Sequence, residues 1–341
     1  MAVTTPLLSS TLQHIAKEAK DALKVKYRFW DFASKNKAIR EDISGRTIVL
    51  PVVTAEHSAI TYHGGDGYEV TDEGVNNILR SAEFEWCFMT APIAVDAKTK
   101  AINSGSAAII DIYGEHVKSV IQKMGQAINT QALYGGVAGS TLSTLYGGTA
   151  GAGTGFIEGL APASQSSVVG GLSKSTYNVP GWTNAFASAG GAFNTASAGR
   201  IAMDSIQTQL MSKGAGATPF DIVIMSEACF ALYRASLSSQ ERFVDAKELD
   251  GGNLHLSYGG APVVPDLAMN NTTSRAGNAI FSAYFLSGAG IGLYMLPSAN
   301  FKVVERGVAT GSAVETWQVQ TGIQLGAKHL GSLGVLCNAD A

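Results

Sequence analysis

Residues 104–134 read SGSAAIIDIYGEHVKSVIQKMGQAINTQALY, the longest helical pattern in the chain. Ile110, Tyr113, Val117, Val120, Met124 and Ile128 recur three or four residues apart and form one apolar stripe. Ser104 or Ser106 is placed to cap the start and Gly135 to end it. At 1.5 Å per residue, such a helix spans on the order of 45 Å. Gly114 and Gly125 lie inside the pattern, where glycine weakens a helix and leaves room for a bend.

Upstream of the helix the period changes. Thr47-Ile-Val-Leu-Pro-Val-Val53 and Phe84-Glu-Trp-Cys-Phe-Met89 alternate like strands, with the turn cluster Gly64-Gly-Asp-Gly67 between them. The pattern predicts a long hairpin that protrudes, since it holds no core partner of its own. Further upstream, Leu12, Ile15, Ala19 and Leu23 predict a helix over 8–28, followed by the aromatic cluster Tyr27-Arg-Phe-Trp30.

Downstream, residues 135–199 are rich in Gly, Ser, Ala and Thr, with only Glu158 and Lys174 charged, and read as a connector with short strands. Residues 200–300 read as α/β. A helix over Arg200–Lys213 closes at Gly214, Asp221–Met225 is a strand, and Ser226 caps a helix carrying Phe230, Tyr233 and Leu237. Ala261–Asp266 is strand-like. Residues 276–301 carry no charge for 26 residues, but Asn278, Gly288, Gly290, Gly292 and Pro297 break them into two strands, Ala279–Leu286 and Ile291–Leu296, joined in a hairpin by a glycine turn. Strands return at Phe301–Val304, Glu315–Leu325 and Leu333–Leu336.

Charged residues make up 15% of the chain, against about 25% in a typical soluble domain. A chain short of charge has less surface that must face water, and burial between subunits uses that shortage. The charge is also segregated. Residues 1–46 hold nine basic and five acidic side chains, net +4; residues 47–97 hold one and eight, net -7; the remainder balances at fourteen each, giving -3 overall. Segments of opposite charge seek opposite partners. A net charge of -3 with a pI near 6.1 argues against a dedicated nucleic-acid binder, which usually shows a basic domain.

The chemistry of known sites is not found. Cys87, Cys229 and Cys337 form no CxxC pair. There is no GxSxG, HExxH or Walker loop. Gly151-Ala-Gly-Thr-Gly155 follows no strand, and Gly288-Ala-Gly-Ile-Gly292 opens no helix, so neither cradles a phosphate. His57 and His63 beside Glu56 and Asp66 lack a further ligand at metal-site spacing. Asp204 and Glu227 read as helix-surface and first-turn residues rather than a catalytic pair. No catalytic, cofactor or metal residue is assigned, and no membrane span or signal peptide is expected.

The order of parts and several local motifs resemble the tailed-bacteriophage major capsid proteins of the Hong Kong 97-type fold. Pro51-Val-Val-Thr-Ala-Glu-His-Ser58, then Ala82-Glu-Phe-Glu-Trp86 with Ala91-Pro92, resemble the hairpin of one branch of that family. Ser106-Ala-Ala-Ile-Ile-Asp111 resembles the start of its spine helix, Gly171-Leu-Ser-Lys-Ser-Thr-Tyr177 with Trp182 a connector, and Tyr258-Gly-Gly-Ala-Pro-Val-Val-Pro-Asp266 an axial strand.

The resemblance implies an α+β chain divided into an N-terminal arm (1–46), an extended β-hairpin loop (47–100), a peripheral domain (101–199) with its spine helix (104–134), an axial α/β domain (200–300) and return strands of the peripheral domain (301–341). It implies a structural protein that forms pentamers and hexamers in an icosahedral shell around phage DNA. A separate scaffolding protein, a portal and a decoration protein are its expected partners, and an encapsulin-like compartment shell or a soluble α/β enzyme with residues 200–300 as its core is the alternative. It also implies that arm and hairpin reach neighbouring subunits. Lys17, Lys20, Lys24, Lys26 and Arg28 of one copy are then expected to face Glu69, Asp72 and Glu73 of the next. Some members cross-link through a hairpin lysine; residues 47–97 contain none, so that bond is not expected.

Overall fold

The structure, a computed structural model, describes residues 5–41, 45–55, 77–96, 98, 106–133, 144–147, 155–158, 168–177, 179–189, 193, 198–214, 219–237, 247–249, 253–269, 281–308, 314–337 and 339. Two sheets and five helices carry the architecture. Helix α3 (Ser106–Leu133) lies over a five-stranded sheet of β1 (Ile39–Arg40), β15 (Ile291–Met295), β17 (Val314–Ala327), β16 (Lys302–Val308) and β4 (Cys87–Asp96). A seven-stranded sheet runs β11 (Lys247–Leu249), β12 (Asn253–Tyr258), β13 (Ala261–Pro265), β10 (Ile222–Met225), β14 (Phe281–Leu286), β18 (Gly334–Cys337) and β9 (Ala185–Ser188). Helices α4 (Ala198–Ser212) and α5 (Glu227–Ser236) pack on its outer face. Three small ribbons complete the described chain: β2 (Thr47–Val53) with β3 (Leu79–Glu85), β5 (Thr144–Gly147) with β6 (Gly155–Glu158), and β7 (Val168–Val169) with β8 (Leu172–Ser173).

The apolar stripe of α3 behaves as its period requires. Tyr113, Val117, Ile121, Met124 and Ile128 are buried, and Val120 packs at the margin. The side chain of Ile110 and the capping positions Ser104 and Gly135 lie outside the described residues. Tyr113 is the main tie to the sheet below: its ring meets Trp317 edge-on at 6.0 Å and its hydroxyl donates to Glu315 Oε2 at 2.8 Å. Burial and the Glu315 carboxylate both push the Tyr113 phenol far up.

The seven-stranded sheet explains why its strands read as unbroken apolar runs. All four residues of β10 are buried; Ile222 and Ile224 point into one core, Val223 and Met225 into the other. On β14, Tyr284 and Leu286 face the first core, Ala283 and Phe285 the second. A sheet covered on both faces loses its alternation of apolar and polar residues. Tyr284 also reaches the end of the spine helix, donating to the Leu133 carbonyl at 3.0 Å. That carbonyl is one of those a helix C-terminus leaves without an intrahelical donor.

The local stop signals hold. Gly214 takes φ +83° just past α4, and the Ser226 side chain accepts from Cys229 N at the start of α5. Two expectations do not hold. Strands β14 and β15 are not a hairpin: they lie in different sheets, and the glycine turn carries the chain from one to the other. A Cβ at Gly288 would lie 2.5 Å from Asn36 Cβ, so the crossing is held against the end of a neighbouring helix. The return strands over 301–341 likewise divide. β16 and β17 complete the sheet beneath α3, whereas β18 joins the seven-stranded sheet between β14 and β9.

Candidate assembly surfaces

The first candidate surface is the N-terminal segment. Helix α1 (Thr5–Lys26) is followed directly by α2 (Arg28–Lys35). Leu12, Ala16, Ala19 and Leu23 of α1 are buried against α3. The two glycines of α3 are what admit them. A Cβ at Gly114 would sit 3.0 Å from Ile15 Cδ1, and one at Gly125 only 2.5 Å from Leu23 Cδ2. The two glycines thus form a pair of notches that seat α1. Tyr27 and Trp30 extend the seat, donating to the carbonyls of Gln122 (3.0 Å) and Gly125 (3.3 Å).

Helix α2 begins without a side-chain cap of its own. Asn129 of α3 supplies one from a distance: its Oδ1 accepts from Phe29 N at 3.3 Å, while its Nδ2 donates to the Asp266 carboxylate at 3.3 and 3.4 Å. Asp266 also accepts from Ala268 N at 2.8 Å. Burial pushes its carboxyl above the ordinary range, against the opposing pull of these hydrogen bonds and the Arg28 charge. N-terminal helices, spine helix and seven-stranded sheet therefore meet at one buried polar junction.

The expected contact residues are placed as follows. Lys17 is exposed on α1. Lys20 pairs with Glu41 of its own chain at 2.6 Å, and Arg28 acts on Asp266. The side chains of Lys24 and Lys26, and all of Glu69, Asp72 and Glu73, lie outside the described residues, as do His57, His63, Glu56 and Asp66.

The second candidate surface is the β2–β3 ribbon. Its strands pair antiparallel from Thr47↔Glu85 to Val53↔Leu79. Ile48, Leu50, Val52, Ala82 and Phe84 are buried in the main core, so the base of the hairpin is packed on the body rather than projecting alone. The opposite face exposes Val49 and Val53 at 50% and Leu79 at 57%, beside Pro51 and the carboxylates of Glu83 and Glu85. Sequence reading finds the alternation but not its packed side. That side depends on Gly170 of the connector, whose carbonyl accepts from Glu83 N at 2.9 Å and whose Cβ would meet Ala82 at 2.8 Å.

Among the described residues no constellation of catalytic type is assembled. Asp204 accepts from Tyr258 on α4's surface at 2.6 Å, and Glu227 lies in the first turn of α5. Among the described residues no group of three or more His, Cys, Asp or Glu side chains could hold a metal, and no helix is long and apolar enough to cross a membrane. Lys174, the connector's one basic residue, is buried and donates to Asn184 Oδ1 at 3.1 Å.

No protein-family model matches the chain, and no curated protein matches its sequence. Solved structures do. A chain of the cyanophage A-1(L) capsid matches at a TM-score of 0.62 with 15% identity, over 90% of this chain and 91% of that one. The capsid of the native GTA particle matches at 0.60 with 14% identity, over 90% of each chain. The holo-SrpI encapsulin complex from Synechococcus elongatus matches at 0.52 with 10% identity, over 89% and 86%. A long helix laid across one sheet, a second sheet shared between two cores and these matches over nine tenths of the chain agree: this chain has the Hong Kong 97-type fold of tailed-phage major capsid proteins.

Proposed function

We propose that this chain is the major capsid protein of a tailed-phage head, a structural subunit rather than an enzyme, which self-assembles into pentamers and hexamers around packaged DNA. The observation that carries the reading is the match to capsid chains over nine tenths of the sequence. The low charge content and the bare apolar face of the β2–β3 ribbon support it, because both suit a chain whose surfaces are covered by other copies. The partners are further copies, a separate scaffolding protein, a portal, a decoration protein and DNA held without sequence readout. Assembly takes place in the host cytoplasm and the product is the virion. Buried area per subunit reaches the obligate class, on the order of 2,000 Å² or more.

The test is electron microscopy of the chain produced with and without scaffold. Closed shells are expected, and nuclease-protected DNA in particles from infected cells. A stable monodisperse monomer under both conditions refutes the proposal. The encapsulin match favours a second reading, a cellular compartment with the same shell; protein cargo in place of DNA would select it.

Within the shell, the contact between neighbours joins Lys17, Lys24 and Lys26 to Glu69, Asp72 and Glu73, while Lys20 and Arg28 also serve partners inside their own chain. Exposed pairs are worth only about 0–1 kcal/mol each, so repetition and register matter more than affinity. Lys24→Glu with Lys26→Glu is expected to impair shell formation, and Glu69→Lys with Asp72→Lys to restore part of it. Normal assembly of the first pair, or no rescue by the second, removes this contact.

A further inference from the structure

A strand at the edge of a sheet presents N–H and C=O groups that will pair with any extended segment that reaches them. A chain that lives at high local concentration of its own copies meets that hazard constantly. Here three of the described edges are obstructed in different ways. Strand β4 pairs only with β17 among the described residues, and Pro92 withholds an N–H from it. On β16, Val303 N donates to Gln13 Oε1 of α1 at 3.1 Å.

The most complete obstruction is on β9, the last strand of the seven-stranded sheet. It runs parallel to β18 in the register Val335↔Phe186. Ala185 N donates inward to Leu333 O at 2.9 Å and Ala189 N to Cys337 O at 3.0 Å. In a parallel ladder both backbone groups of the intervening residues face the other way. Phe186 therefore offers its N–H and C=O to the open side. Both are taken by one side chain: Gln209 of α4 accepts from Phe186 N through Oε1 at 3.1 Å and donates from Nε2 to Phe186 O at 2.8 Å. A second donation from Nε2 to Ser205 Oγ at 3.3 Å holds the carboxamide in that orientation. The amide of Gln209 thus makes the pair of bonds that the peptide group of an added strand would make.

We propose that Gln209 is a strand-edge plug, which occupies the place of a strand from a second copy on β9 and confines self-association to the faces of the subunit. The proposal goes beyond the shell reading and stands or falls separately from it, because it concerns which contacts are forbidden rather than which are made.

The decisive variant is Gln209→Met, which keeps the length of the side chain and removes the amide. Incubated as the full-length chain, it is expected to convert to thioflavin-T-positive material with an intermolecular β-sheet infrared band, under conditions where the wild type does not. Leu210→Ala, at a fully buried neighbour on the same helix, destabilises without opening the edge and should give no such material. Gln209→Glu keeps an acceptor for Phe186 N and puts a charge at the edge, so it too should stay free of fibrils. Retention of wild-type association by Gln209→Met overturns the plug, as does equal fibril formation by either of the other two variants. Hydrogen exchange on the wild-type chain needs no variant: the Phe186 amide must be protected to a degree similar to that of Ala185, and rapid exchange at Phe186 overturns the proposal outright.

Discussion

Helix α1 and the β2–β3 ribbon are both appended to the spine helix and its sheet, and the sequence gives both the look of projecting arms. Their surroundings differ. The apolar side of α1 is buried in its own chain, with Leu23 sunk into the notch at Gly125 and Gln13 closing the edge of β16. The ribbon buries one face on the body and leaves Val49, Val53 and Leu79 about half exposed on the other. The first segment is part of the folding unit. The second holds an apolar surface in reserve. Under the proposed shell function a subunit gains from both: one attachment that stiffens it before it meets others, and one that is completed only on meeting them.

The sharpest way to break this comparison is to unseat the N-terminal helices. Trp30 is 1% exposed, lies 6.2 Å from the Phe301 ring and donates to the Gly125 carbonyl. Trp30→Ala is expected to cost about 3–5 kcal/mol of stability in denaturant unfolding. A loss below about 0.5 kcal/mol, the range of surface changes, would show α1 and α2 to be loosely held arms.

A subtler test concerns the junction at Asp266. Its carboxyl is held above the ordinary value of 3.8 by burial, so the folded chain binds that proton more tightly than the unfolded chain. The stability contributed by protonation is fully present below the ordinary value and is lost as pH rises through the elevated folded-state value. Asp266→Asn keeps an acceptor for Ala268 N and cannot titrate. The difference in stability between wild type and variant should therefore shift in favour of the wild type on acidification through that window. A difference flat across pH 3 to 7, on the order of the carboxylate range, would mean that the carboxyl is well hydrated and that the junction is open.

The smallest effect on folding is expected at the ribbon. Val53→Ser with Leu79→Ser removes apolar surface that is already about half exposed, and should change monomer stability by no more than about 0.5 kcal/mol. Yields of closed shells should fall all the same. Normal shells from this double variant would mean that the outer face of the ribbon is plain solvent surface.

Much of the frame is legible in the residues. The stripe on α3, the caps at Ser226 and Gly214 and the alternation of β2 are local, each set by a period or by a backbone conformation within a few residues. Sheet membership is not. β14 and β15 carry the same apolar signature whether they pair with each other or part, because a strand buried on both faces records burial and not its neighbours. Gly114 and Gly125 look like weaknesses in a helix until Ile15 and Leu23 stand opposite them. Gln209 looks like any polar residue on a helix until the unpaired groups of Phe186 lie beside it. The sequence by itself determined the elements, their order and the fold they resemble, because periodicity and capping act along the chain. Only the tertiary structure decided where the glycine notches, the sheet crossing and the edge plug fall, because each is a fit between groups that the sequence keeps far apart.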